Sequence, residues 1–246
     1  TSLGYKLSEH LTQRWTYGLT RTEVTDIAPT ASLLITQQAG VTVRSSLQHA
    51  IIYDKRDVAL NPSEGYLLIM RNTLAGLGGS VRYAQTTAEA THYLPIGETF
   101  TFATRAEGGF IEGLGQDTLL ADRFFIGGDT IRGFSPSGLG PRAATGGVLG
   151  AAKYWRTSAE LRFPVPGLAE QGVRGRFFVD AGSAWDVGQD TGTIVVDDSS
   201  NVRASFGVGG TWDSPLGPLS LDYGIPVRKE SFDVEQRFKF SISTSF

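Results

Sequence analysis

Polar and apolar side chains alternate with a period of two near the C-terminus of this chain of 246 residues, and this pattern constrains its fold most strongly. Between residues 203 and 212, apolar positions such as Phe206 and Val208 alternate with small or polar ones. The same division recurs in 217–227 and in 237–246. Because successive side chains of a β-strand point to opposite faces, these segments predict three consecutive strands, each with one apolar and one polar face.

The upstream sequence continues this pattern, and no segment shows a convincing helical period. In 80–94 the phase of the alternation is ambiguous. A high glycine content, 31 residues, and 11% aromatic residues also favour many turns and strands over a helical core. The sequence thus predicts an all-β chain of about eleven strands. The eight upstream strands are expected at about 2–9, 14–20, 41–54, 65–75, 80–94, 99–110, 158–165 and 173–185.

Two all-β architectures explain such alternation. In a soluble β-sandwich, two apolar faces meet about 10 Å apart and the polar faces contact water. In a barrel of more than about eight strands, polar residues line a wide interior and the apolar face meets lipid. Charges of both signs on the polar faces, aromatic residues such as Trp185, Trp212 and Tyr223 at strand ends, and alternately short and long connections favour an antiparallel transmembrane β-barrel.

The predicted number of strands bears on how much of a barrel is present. Bacterial single-chain barrels have an even number of strands, whereas eleven is odd. Either the count is wrong by one or, as we expect, the chain is the C-terminal part of a larger barrel whose first strands are not included.

Composition argues against several other classes of function. The chain has no cysteine, which excludes thiol catalysis, cysteine-bound metals and disulfides. Its net charge of −3 argues against a nucleic-acid partner. The three histidines, His10, His49 and His92, lack the spacing of metal ligands. We therefore expect no cofactor, no metal and no enzymatic activity.

A single arginine stands within a run rich in glycine and proline, GGDTIRGFSPSGLGPR at 127–142, inside a long predicted loop at about 111–157. No Gly-Lys-Ser/Thr follows the run and no strand-to-helix turn is evident, which argues against a phosphate-binding loop. Arg132 is thus either a solvated loop residue or a residue with a specific partner.

Six segments of the chain form a distinctive combination. They are Ile131-Arg-Gly-Phe134, Ser158-Ala-Glu-Leu-Arg-Phe-Pro164, Arg176-Phe-Phe-Val-Asp-Ala-Gly182, residues 205–227, the turn Asn61-Pro-Ser-Glu-Gly65 and the final strand 237–246. Together they resemble the BamA family of outer-membrane protein assembly factors, over most of 41–246. A lone Arg-Gly-Phe would carry little information, whereas the combination is specific.

The resemblance implies a barrel of sixteen strands preceded by periplasmic POTRA repeats, in which the long sixth extracellular loop folds back into the lumen. Arg132 would then meet inward-facing carboxylates that match Glu160 and Asp180, the latter in the motif that ends at Gly182. The alternation independently places both carboxylates on the polar face. A planar guanidinium can engage two acceptors at once.

The two residues after the arginine have expected roles as well. Gly133 would permit a close backbone approach or an unusual φ, and Phe134 would pack into the barrel wall. All these residues are expected to anchor the loop in the lumen.

The resemblance also implies a function, the assembly and insertion of β-barrel proteins into the bacterial outer membrane. The expected partners are unfolded outer-membrane proteins, the lipid bilayer and accessory lipoproteins. A related barrel that exports passenger proteins and a passive porin are the alternatives.

The last strand has an expected role in this function. The family uses the seam between its first and last strands, which places Phe238, Phe240, Ile242 and the terminal Phe246 at a lateral seam that also carries a C-terminal recognition signal. Some members have a glycine three residues before the end that kinks this strand, whereas this chain has Ser243.

Overall fold

The computed structural model describes residues 1–28, 31, 33–59, 61–192, 194–214 and 217–242. Within these residues, eleven strands form one antiparallel sheet whose spatial order follows the chain. The predicted all-β class and the number of long strands are therefore confirmed. The strands of the sheet are β1 (Ser2–Lys6), β2 (Leu11–Val24), β3 (Gly40–Asp54), β4 (Gly65–Gly79), β5 (Tyr83–Ile96), β6 (Phe100–Gly113), β9 (Lys153–Pro164), β10 (Val173–Trp185), β12 (Arg203–Ser214), β13 (Gly217–Arg228) and β15 (Phe238–Ile242).

Four strands of two residues form separate pairs in the connections. β7 (Gly133–Phe134) pairs with β14 (Glu235–Gln236), and β8 (Arg142–Ala143) pairs with β11 (Val196–Asp197). The helical elements are one short α-helix and two 3₁₀ turns, at Leu33–Thr36, Leu120–Asp122 and Ala169–Gln171. In the part of the chain that the structure describes, no helix has the length and apolar character needed to cross a bilayer.

Two strands extend further into the long loop than the sequence suggests. β9 begins at Lys153 and β6 continues to Gly113, so the loop comprises 114–152 rather than 111–157. The aromatic neighbours Tyr154 and Trp155 lie on opposite faces of β9, which obscures the alternation in the sequence. The turn after β5 likewise lies at 97–99, because the strand continues through Ile96.

The apolar faces of the strands do not pack against an opposing sheet. Phe206, Phe238 and Phe240 are 47%, 57% and 56% exposed, and the apolar side chains on the neighbouring strands share this outer face. A continuous apolar surface of this extent is typical of a wall that contacts lipid. The sandwich alternative is therefore excluded.

The loop 114–152 lies against the other face, around which the sheet curves. Asp122 of the loop forms an ion pair with Arg44 of β3, while Asp129 forms one with Lys239 of β15 at the far end of the sheet. One loop can reach both strands only if the sheet bends around it. The core consequently lies on this inner face, where the loop buries apolar residues that include Ile126, Ile131, Phe134 and Leu139.

We expect a charge in the middle of the lipid-facing surface to destabilise the barrel. Val208 lies midway along β12 and points outward. Val208→Arg should lower the free energy of unfolding by about 2–4 kcal/mol, the cost of an arginine near the bilayer midplane. Denaturant titration in lipid vesicles measures this change. Val208→Leu keeps the apolar character and should leave the midpoint nearly unchanged; an equal loss in both variants would contradict a lipid-facing position.

Candidate functional site

Arg132 follows a compact turn that presents it to the inner wall. Gly127 and Gly128 have φ values of 127° and 61°, which favour glycine. The Thr130 hydroxyl accepts a hydrogen bond from the Gly127 amide at 2.7 Å and donates one to the Gly127 carbonyl at 2.9 Å. These two hydrogen bonds close the turn, and the chain leaves it with Arg132 directed toward β9 and β10.

Arg132 is bound by side chains from two adjacent strands. Its backbone N–H and Nε donate to Asp180 Oδ2 at 3.0 and 2.8 Å, and its Nη2 donates to Asp180 Oδ1 at 2.8 Å. Its Nη1 donates to Glu160 Oε2 at 2.7 Å, and its Nη2 also donates to Ser158 Oγ at 3.1 Å. The guanidinium therefore makes a bidentate contact with one carboxylate and a single contact with a second.

The register of β9 and β10 explains why these acceptors converge. Asp180 lies directly opposite Ser158, and Glu160 lies opposite Phe178, two residues before Asp180. All four side chains share the inner face because residues two apart in a strand point the same way. The Ser158 hydroxyl also donates to Asp180 Oδ1 at 2.6 Å, which orients the carboxylate.

The site is buried and its charges are balanced. The side chains of Arg132, Asp180 and Glu160 are 11%, 1% and 10% exposed. Arg162 Nε donates to Glu160 Oε1 at 2.7 Å, so two carboxylates face two guanidinium groups. Burial acts to lower the pKa of Arg132, but the hydrogen bonds and the charge attraction of Asp180 and Glu160 together outweigh it, and the pKa is raised. Arg132 is therefore a permanent cation.

Two further residues that the sequence did not single out hold Arg132. The ring of Phe178 lies beneath the guanidinium, whose Cζ is 3.6 Å from the ring centroid, a cation–π contact. The Ser205 hydroxyl donates to the Arg132 carbonyl. Together with Ser158, these residues complete the site. In the sequence, only their positions on the inward-facing side of their strands would have indicated this role.

Glycines on both sides of the interface allow the backbones to approach. Gly133 has a φ of 92°, and a Cβ added at Gly224 of β13 would lie 2.6 Å from the Gly133 nitrogen. A Cβ at Gly182 would lie 2.6 Å from Ile131 Cδ1. Phe134 is buried in the apolar cluster of the loop. The structure thus brings all six predicted anchoring residues to one place.

A second arginine, Arg123, holds the base of the loop. Its Nε donates to Thr118 Oγ1 at 3.1 Å, its Nη1 to the Leu149 carbonyl at 2.9 Å and its Nη2 to Gln189 Oε1 at 2.8 Å. Burial lowers its pKa to about 10, so it remains a cation at neutral pH. It joins the two arms of the loop to the connection 186–202, a role that the sequence did not reveal.

The predicted seam residues lie apart from this site. Phe238, Phe240 and Ile242 occupy the outer face of β15 and are exposed. Phe246 and Ser243 lie outside the described residues. The role of these residues at a seam stays a prediction.

Comparisons with known proteins identify the family. The Omp85 superfamily domain matches residues 1–246. The chain belongs to this superfamily. It is 33% identical to the outer membrane protein assembly factor BamA of Neisseria meningitidis serogroup B over 224 residues, which cover 78% of this chain and 28% of that protein. It is 28% identical to BamA of Neorickettsia risticii, over 100% of this chain and 33% of the relative.

A relative from an animal is about as similar. The sorting and assembly machinery component 50 homolog of Mus musculus is 30% identical over 84% of this chain and 46% of that protein. The chain therefore spans less than half the length of these curated relatives. The resemblance to the BamA family is confirmed.

A solved structure supports the barrel fold. The crystal structure of BamA from Haemophilus ducreyi lacking POTRA domains 1–3 aligns with a TM-score of 0.79 at 22% identity. The alignment covers 97% of this chain and 52% of that chain. At this identity the likeness concerns the fold, and the eleven-stranded sheet resembles the wall of that barrel.

We expect Arg132 and Asp180 to be energetically coupled. Arg132→Met or Asp180→Asn alone should each lower the free energy of loop opening by about 3–5 kcal/mol, since each leaves a buried charge without its bidentate partner. The double variant should lose clearly less than the sum. Hydrogen exchange of the amides in 127–142 measures this opening. Additive losses would contradict the coupling, and Arg21→Gln, which breaks an exposed ion pair with Glu23, is the control.

A methyl group at Gly224 should displace the loop without changing any charge. Its Cβ would approach Gly133 N and Cα at 2.6 and 2.9 Å, closer than real contacts allow. Gly224→Ala should therefore increase protease cleavage within 127–142. The control is Gly210→Ala on β12, where the nearest atom lies 3.4 Å away. Equal cleavage in both variants would argue against the close approach.

Proposed function

We propose that this protein assembles β-barrel proteins into the outer membrane of a Gram-negative bacterium, as the barrel part of a BamA-like factor. The observation that carries the proposal is the match over the chain to proteins named as assembly factors or assembly machinery components. A bacterial relative, BamA of Neorickettsia risticii, aligns with 100% of this chain, which favours a bacterial outer membrane. The proposed clients are unfolded outer-membrane proteins, and accessory lipoproteins are proposed partners.

The last strand supplies a surface that fits this function. β15 is the last strand of the sheet and pairs with β13 along one edge. We propose that its other edge lies at the seam with the first strand of the complete barrel. Unpaired N–H and C=O groups along a strand edge are a template for another strand. Phe238, Phe240 and Ile242 continue the apolar outer face, so a client strand added at this edge would present its own apolar residues to lipid.

The seated loop favours this function over that of a passive porin. Residues 114–152 cover much of the inner face, where a porin keeps an open aqueous channel. Beside Arg132 a polar cavity of about 320 Å³ remains, lined by charged residues that include Glu89, Arg105 and Arg156. We propose that the seated loop keeps the adjoining wall rigid, at β9 and β10.

The proposed activity needs no covalent chemistry. Folding of a client would be driven by backbone hydrogen bonds formed at the strand edge and by burial of apolar side chains in lipid. We therefore propose that the protein is not an enzyme in the usual sense, and that it accelerates insertion by presenting a preformed strand.

Reconstitution of the full-length protein into lipid vesicles tests the proposal. We expect a client barrel diluted from urea to fold faster in these vesicles than in protein-free vesicles, as measured by its heat-modifiable mobility on gels. Arg132→Ala should slow this folding, because the loop loses its anchor. Ion conductance without acceleration would instead indicate a porin, and transfer of a soluble passenger into the vesicle would indicate a secretion barrel; either result without acceleration overturns the proposal.

A further inference from the structure

The last strand of the sheet contacts its neighbouring strand, and the folded-back loop contacts it as well. Within the described residues, β15 and β13 pair from Tyr223 opposite Phe238 to Leu219 opposite Ile242. The Gly224 amide also donates to the Arg237 carbonyl at 2.7 Å, just before β15. Contacts from the loop add to this ladder.

The folded-back loop makes backbone contacts with the segment that leads into β15. Phe134 pairs with Glu235, and Gly133 pairs with Gln236. The ladder continues at Val234, whose carbonyl accepts from the Ser135 amide at 2.9 Å and whose amide donates to the Gly138 carbonyl at 3.0 Å. The loop residues that follow Arg132 therefore pair, as a short strand, with the segment that leads into β15.

An ion pair extends this contact into the last strand itself. Lys239 is on the inner face of β15, opposite to Phe238 and Phe240, and its Nζ contacts Asp129 Oδ1 at the turn of the loop. Its neighbour across the ladder, Asp222, is already engaged by Arg176 at 2.8 and 2.7 Å. Asp129 is therefore the acid that the structure assigns to Lys239.

The other side of the entry segment is fixed to the wall. Arg203 Nε contacts Asp233 Oδ2 at 3.1 Å, and both side chains are fully buried. Asp233 also accepts a hydrogen bond from the Glu230 amide at 2.7 Å. The segment before β15 is thus held between the wall, through Asp233, and the loop, through Val234–Gln236.

We propose that the loop anchored by Arg132 acts as a latch for the last strand, with the Asp129–Lys239 ion pair as its direct tie. Seating of the loop stabilises the pairing of β15 with β13, and release of the loop loosens it. Because coupling between two sites is reciprocal, movement of the last strand also weakens the seating of the loop. The latch would serve the proposed function, but it consists only of contacts within the barrel and does not depend on a client protein.

Hydrogen exchange of the full-length protein in lipid nanodiscs tests the latch without any client. Asp129→Asn removes the charge at nearly constant volume. We expect the amides of 238–242 to exchange about two- to fivefold faster, the scale of a partly exposed ion pair, while those of β9 and β10 are unchanged. The exchanged pair Asp129→Lys with Lys239→Asp should restore slow exchange, and Arg21→Gln again serves as the control.

A second variant, Arg132→Lys, weakens the anchoring of the loop at a site away from the Asp129–Lys239 ion pair. Arg132→Lys keeps the positive charge but loses the bidentate contact with Asp180. It should speed exchange in both 127–138 and 238–242. Unchanged exchange of 238–242 in Asp129→Asn, or faster exchange of the loop without that of β15 in Arg132→Lys, would overturn the latch, whether or not the protein inserts clients.

Discussion

A buried arginine held by acids from two adjacent strands is the interaction on which the inner structure depends. Arg132 leaves water only because Asp180 and Glu160 replace its hydration with charge-assisted hydrogen bonds. An uncompensated charge at this depth would cost several kcal/mol, so loop and wall can meet here only with all partners in place. The interaction therefore specifies the seated position of the loop as well as stabilising it.

The rest of the inner face is organised around that position. Once Arg132 is bound, Ile131 and Phe134 enter the apolar cluster beneath the loop, and Gly133 lies against Gly224 of the wall. Ionic contacts extend from the loop in two directions, to Arg44 on β3 and to Lys239 on β15. A single loop thus bridges distant strands of the sheet, while the outer face remains apolar for lipid.

The sequence predicted the fold class and the eleven strands from a local pattern, whereas the anchoring role of Arg132 followed from the resemblance to a family. Alternation is a property of successive residues, and it suffices to place Glu160 and Asp180 on the polar face. The predicted start of β9 is too late because Tyr154 and Trp155 mask the period. Arg123 carries no such signal, because its partners are hydroxyl, carbonyl and amide groups whose positions depend on how three separate segments pack.

By itself, the sequence determined which face of most strands is polar, and hence that Glu160 and Asp180 point inward, since this follows from side-chain chemistry and a period of two. Only the tertiary structure decided where the loop ends and what it contacts. Contacts such as Asp129 with Lys239 or Val234 with Ser135 join residues about a hundred positions apart, and no local pattern encodes them. They arise because the sheet curves around the loop, and that curvature is a property of all the strands together.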